Sequence, residues 1–186
     1  MELEKDNQQE ILNMEIAWLA GVIECDGTVM LSCHVRKNGA KPKVGVEIKL
    51  YNTDGGIIAK AVDILERLNL SHYIADRVQK PMDTKSGKSY GNFKTMLSVS
   101  VKNLGDAYTL AKLLLPWMFG EKGKRLALMI QYLAGRLQKI ADNKGGYRNV
   151  PLDVADLTII RDFYKQFVTR PGHNRHLIEA LLNDYT

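Results

Sequence analysis

Alternation of apolar and polar positions sets the first two strands. Over residues 28–36, Val29, Leu31, Cys33 and Val35 alternate with Thr28, Met30, Ser32, His34 and Arg36. Over 43–51, Val44, Val46, Ile48 and Leu50 alternate with Lys43, Gly45, Glu47, Lys49 and Tyr51. A period of two marks strands with one buried face. The Gly- and Pro-containing stretch 37–42 between them reads as a turn or loop, so the pair predicts a hairpin. A weaker third strand is expected at about 71–79, where Ile74 and Val78 give only a modest pattern. A fourth is expected at about 92–102, where Phe93, Thr95, Leu97, Val99 and Val101 oppose Lys94, Met96, Ser98, Ser100 and Lys102.

Helical spacing fills the rest. Ile16, Leu19, Ala20 and Ile23 share one face of a helix from about Leu12 to Cys25, with Trp18 and Val22 on adjoining faces. Asn52-Thr53-Asp54 supplies capping oxygens for a helix ending near Leu68, and Asn103 for one that stops before Pro116. A long helix is expected over 122–141, and Leu110, Leu113, Leu114, Trp117 and Met118 read as core. Helix, two strands, helix, two strands, helix is an α+β order built on a four-stranded antiparallel sheet. Past residue 142 the pattern changes to a helical extension, with Asp153 capping a helix through Val168 and Pro171 preceding a last short one. The expected division is a domain over 1–142, with residues 1–11 an acidic arm, and an extension over 143–186.

Charge sharpens this picture. The 186 residues carry a formal charge of +5, and residues 16–149 hold 21 of the 26 bases but 11 of the 21 acids. A basic middle suits a polyanion, although a solvated lysine-rich surface has the same composition. No apolar run approaches the length of a membrane span, and the acidic start does not resemble a secretory signal. The two cysteines, Cys25 and Cys33, read as free thiols, which points to a reducing intracellular compartment.

The chemistry concentrates at one place. Trp18-Leu19-Ala20-Gly21-Val22-Ile23-Glu24-Cys25-Asp26-Gly27 ends a helix in two carboxylates and a glycine. A glycine C-cap explains Gly27, but carboxylates are unfavourable at the negative end of a helix unless a cation faces them. Carboxylate and carbonyl oxygens are hard ligands of the kind magnesium prefers. The stretch closely resembles the motif of the LAGLIDADG homing endonucleases. Leu19, Ala20, Gly21, Ile23, Asp26 and Gly27 match letter for letter, Val22 and Glu24 are conservative changes, and Cys25 takes the small-residue place.

The resemblance covers about three quarters of the chain and implies a good deal. The fold would be αββαββα with a curved four-stranded sheet. The activity would be a Mg2+-dependent double-strand break, with Mn2+ able to substitute, in a long, roughly palindromic DNA site, leaving short 3′ overhangs. Asp26 would bind the metal, with the Cys25 carbonyl as a further ligand. Lys122, or its rival Lys124, would be the basic residue that polarises water, and Asn52, or Tyr51, would order water. One motif per chain implies a homodimer joined through Trp18, Ala20, Gly21 and Glu24. The polar sheet face would be the DNA saddle, with Met30, Ser32, His34, Arg36, Lys43, Glu47, Lys49, Tyr51, Arg77, Gln79, Lys94 and Ser98 on it. Lys37, Lys41 and Lys80, together with Lys85 and Lys88, would extend the contact from the loops. Two other functions stay open for such a chain, an intron-RNA maturase and a catalytically inactive DNA-binding regulator.

Overall fold

A computed structural model describes residues 2–34, 43–77, 95–143, 150–166 and 175–183, with the backbone alone at 2–6, 34, 77 and 175–177. The chain runs α1 (Glu2–Asp26), β1 (Gly27–His34), β2 (Lys43–Asn52), α2 (Gly55–Arg67), β3 (Tyr73–Arg77), β4 (Met96–Val101), α3 (Leu104–Leu114), a 3-10 turn Leu115–Trp117, α4 (Glu121–Asp142), α5 (Val154–Lys165) and α6 (Arg175–Asn183). The strands form one antiparallel sheet in the order β1-β2-β4-β3. The expected α+β architecture is therefore present, with its four-stranded antiparallel sheet.

Register decides which side chains share a face. Val29 lies opposite Ile48, Leu31 opposite Val46 and Cys33 opposite Val44, while Val99 pairs with Leu50 and Val101 with Ile48. These residues are buried under Ile16, Leu19, Ala20 and Ile23 of α1, Ile58, Ala61, Ile64 and Leu65 of α2, and Ala107, Leu110, Ala111 and Leu114 of α3. Each fully buried aliphatic side chain stabilises the fold by roughly 1.5–3 kcal/mol relative to exposure. α2 opens on the Asp54 carboxylate, which accepts the Gly56 N–H, and closes on Asn69 at φ 53°, a left-handed position that asparagine tolerates better than most residues.

Four details depart from expectation. α1 begins at Glu2, not near Leu12: the segment holds no Gly or Pro and is rich in Glu and Gln, good helix formers whose polarity hides any amphipathic stripe. α5 ends at Lys165, short of Val168. Trp117, expected in the core with Leu110, Leu114 and Met118, is 44% exposed, because the 3-10 turn after Leu114 rotates it off the helix stripe. On β4 both parities are buried, Ser98 and Ser100 included. β4 is an inner strand, and its short serines sit between the longer Tyr51, Lys49 and Tyr73 of its neighbours.

α5 packs on α4 and α6 on α5, and Leu157, Ile160, Phe163, Tyr164 and Ile178 join the same buried cluster. A charged network fixes this contact. The Arg136 guanidinium, almost fully buried, donates to the carbonyls of Val150 and Pro151 at 2.9 and 2.8 Å and to Asp156 at 3.2 Å. Lys139 bridges Asp156 at 2.9 Å and Asp153 at 2.6 Å. Asp153 and Asp156 also cap α5 reciprocally. Tyr164 accepts the Cys33 N–H at 3.4 Å, so α5 covers part of the β1 edge that would otherwise present free amides. Leu133-Ala134-Gly135 lies inside α4. Among the described residues, no helix is long and apolar enough to cross a membrane.

Candidate nuclease site

α1 ends at Asp26 and β1 starts at Gly27 with no linking residue. Gly27 permits that change of direction, since a Cβ there would come within 2.8 Å of the Ile23 backbone. The last turn of α1 leaves its carbonyls without intrahelical partners. Lys122, from the first turn of α4, supplies them. Its ammonium donates to the carbonyls of Ile23 at 3.1 Å, Glu24 at 2.6 Å and Cys25 at 3.2 Å. Burial pushes the Lys122 pKa below the ordinary lysine value; Glu24, Cys25 and Asp26 pull the other way, while Arg125 adds to the lowering.

The two acids have different surroundings. Glu24 turns toward the start of α4, where its carboxylate packs so closely on Gly120 that any Cβ would collide with it. One Glu24 oxygen is buried with no hydrogen bond. Asp26 is exposed and accepts a 3.0 Å bond from the Asn52 side-chain amide. Asn52 in turn accepts the Asp54 N–H at 2.8 Å through its own Oδ1, which fixes its amide nitrogen toward Asp26. Asp26 is thereby tied through Asn52 and Asp54 to the N-terminus of α2. Cys25 is exposed, whereas Cys33 is buried and burial pushes its thiol pKa up.

Asp26, Asn52, Lys122 and the Cys25 carbonyl therefore come together. Lys124 is exposed on α4, and Tyr51 faces the sheet surface, its ring 4.6 Å from the Lys49 ammonium. The oxygen donors suit a hard divalent ion: one carboxylate oxygen of Asp26 has no bond to Asn52, and the Cys25 carbonyl lies one residue away. Among the described residues no group of three or more His, Cys, Asp or Glu gathers as a metal cluster. One protomer thus offers part of a coordination shell, which phosphate, water or a second copy would have to complete.

The polar sheet face follows from the register. Met30 lies opposite Glu47, Ser32 opposite Gly45, His34 opposite Lys43 and Thr28 opposite Lys49, while Arg77 lies opposite Met96 on β4. Glu47 is held by Lys102 at 3.2 Å and Lys49 at 4.0 Å. Ser98 is buried and donates its hydroxyl to the Ala75 carbonyl at 3.2 Å, so it presents nothing to a ligand. Arg36, Lys37, Lys41, Gln79, Lys80, Lys85, Lys88 and Lys94 lie outside the described residues. Sequence reasoning missed Tyr73, 63% exposed with Lys102 over its ring. Its signal was available, because residue 73 has the parity of Arg77.

The residues expected at a dimer contact separate on α1. Ala20 is sealed in the protomer's own core, one residue and about 100° from Gly21. Trp18 is half-buried beneath Lys60 of α2, 4.3 Å from its ring centroid, and Glu24 faces Gly120. Gly21 alone of the four is exposed, with open space where a Cβ would point. Its neighbours on the open face include Ile11, Met14 and Cys25, and near the same helix Trp117 and Phe119 are exposed.

A helical layer on an antiparallel αββαββα sheet, with an acid at the end of its first helix, defines the homing-endonuclease fold. Matching solved structures include several of this class. The homing endonuclease I-CvuI, in complex with DNA that is not cleaved in 2 mM Mg, has a TM-score of 0.55 and 17% identity over 94% of this chain and 96% of its own. The intron-encoded homing endonuclease I-CeuI, complexed with DNA, has a TM-score of 0.55 and 18% identity over 92% and 75%. The LAGLIDADG homing endonuclease I-SmaMI, bound to cleaved DNA, has a TM-score of 0.57 and 12% identity over 92% of this chain and 48% of its own. No family model matches the sequence, and no curated protein does.

Proposed function

We propose that this protein is a site-specific DNA endonuclease that cuts both strands of duplex DNA, with Mg2+ as its ion and Mn2+ a working substitute. The observation that carries this reading is the Asp26 carboxylate, held by Asn52 beside the Lys122-capped end of α1, at the edge of a polar sheet face in a homing-endonuclease fold. A bound divalent ion would supply an activated water and neutralise phosphate charge. The chain's own residues do the rest. Asp26 holds the ion, Asn52 leaves one Asp26 oxygen free by occupying the other, and the sheet face positions the duplex. Lys43 and Lys49 neutralise phosphates, which makes binding salt-dependent, while Met30, Ser32, Glu47 and Tyr51 face the base edges.

Each protomer contributes a single Asp26, so two strand cuts call for two copies. The open face of α1 around Gly21 suits close approach of a second α1 across a twofold axis, with Met14, Ile11, Trp117 and Phe119 giving it apolar surface. A twofold dimer reads a long, roughly palindromic site, and the cuts leave short 3′ overhangs. The test is cleavage of a randomised duplex library in Mg2+ by wild type and Asp26→Asn in parallel. Specific double-strand cuts by wild type alone are expected. Binding without cleavage by both would replace the nuclease with a maturase or regulator.

A further inference from the structure

The Lys122 ammonium has three hydrogens, and three main-chain carbonyls at 2.6, 3.1 and 3.2 Å engage them. Among the described residues, no carboxylate forms an ion pair with it. A cation therefore already sits at the end of the motif helix, supplied by the chain itself on a tether from α4. One of its three oxygens, that of Cys25, is also the carbonyl beside Asp26 that would serve a divalent ion. Two positive charges on one carbonyl oxygen would stand a few ångströms apart and repel. While Lys122 serves the carbonyls it has no hydrogen left for a phosphate or a water, so any role at the substrate requires it to leave them.

We propose that Lys122 is a stand-in cation that exchanges with the divalent ion at the Cys25 carbonyl. Without the ion it caps α1 and keeps the motif end folded. As the ion binds, the ammonium yields that oxygen and becomes available to the substrate. Lys122 is thus a positioning residue in the metal-free state, and it lowers the apparent metal affinity of the resting protein. This inference rests on the reading of Asp26 as a metal-binding residue.

The test compares thermal unfolding of the full chain in EDTA and in Mg2+, at matched ionic strength, for wild type, Lys122→Met and Lys122→Gln. Met keeps the stem and removes the charge, while Gln keeps one donor and protects folding. Both variants are expected to unfold below wild type in EDTA, and Mg2+ is expected to raise their Tm more than it raises that of wild type. By mass action, the larger rise corresponds to Mg2+ binding about tenfold tighter or more once the competing ammonium is gone. Lys122→Arg, which retains a cation, should restore the wild-type response. Equal Mg2+ shifts in all proteins, or none in any, would overturn the exchange. Cleavage by wild type in the same Mg2+ reports the proposed function separately. Cutting without the differential shift sinks this inference alone, and the shift without cutting sinks the nuclease alone.

Discussion

Among the described residues, two clusters of charge are partly buried, and they are built on opposite plans. At the junction of α4 and α5, Arg136, Lys139, Asp153 and Asp156 pair cation with anion, and the remaining guanidinium bonds go to carbonyls. At the end of α1, the lysine goes to carbonyls, one Asp26 oxygen takes an amide, and Glu24 keeps a buried oxygen with no bond. Opposite charges that satisfy each other leave nothing to offer a ligand. An acid whose nearest cation is spent on the backbone stays available. The first arrangement is what holding two helices together requires, and the second is what receiving an external cation requires.

The comparison can be broken by substitution. The largest effect expected is from Asp26→Asn, which should cost cleavage several kcal/mol of charge stabilisation, a factor of about 10³ in rate. Thermal unfolding should barely move, and a large drop in Tm would make Asp26 a structural acid instead. Arg136→Ala is the mirror experiment. It removes the buried guanidinium partner of Asp156 and the donor to the Val150 and Pro151 carbonyls, and should cost about 3–5 kcal/mol in urea unfolding. Cutting per folded molecule is expected to stay at the wild-type level.

A smaller effect is expected from Asn52→Ala. It frees the Asp26 side chain and removes the turn bond to Asp54, at about 1 kcal/mol of stability. It should slow cleavage about tenfold, by loosening the ion's ligand. Unchanged kinetics would show that Asp26 needs no strap.

The smallest effect is in pH. Burial raises the Asp153 pKa, but the bonds from Lys139 and from the α5 backbone outweigh it, and the net shift is downward. A carboxyl depressed on folding contributes stability above its unfolded value, and that stability is lost as pH falls through the folded one. The α4–α5 junction should therefore loosen only below the ordinary aspartate range, near pH 4, as read by hydrogen exchange in α5. Lys139→Met should flatten that response.

Much of the architecture was legible in the sequence, for a physical reason. Strands buried on one face must alternate, so β1 and β2 declared themselves residue by residue, and Asp54, Asn103 and Asp153 marked helix starts because their oxygens cap amides. The first ten residues of α1 were not legible, because a run of almost wholly polar residues shows no apolar period. Ser98 looked like a solvent-facing residue, and its burial follows from the tyrosines and lysine beside it, which pairing alone brings there. At the site, Asp26 stood out because an acid at a helix C-terminus is locally unfavourable. Lys122 could be placed near the site only through the resemblance, since nothing local shows that a side chain 96 positions further on reaches back to the carbonyls of α1. Its grip on three of them is a tertiary fact. Ala20 misled because small size signals close packing without saying which neighbour approaches, and here it is the protomer's own core.

The direct passage from Asp26 to Gly27 has a mechanical consequence. The residue proposed to bind the ion and the first residue of an edge strand share a peptide bond, with no linking residue between helix and strand. On the proposed function, a sheet that flexes to follow a curved duplex would carry the carboxylate with it. A sequence that bends the wrong way would then misaim the carboxylate as well as weaken the grip, so one joint would enforce fidelity twice.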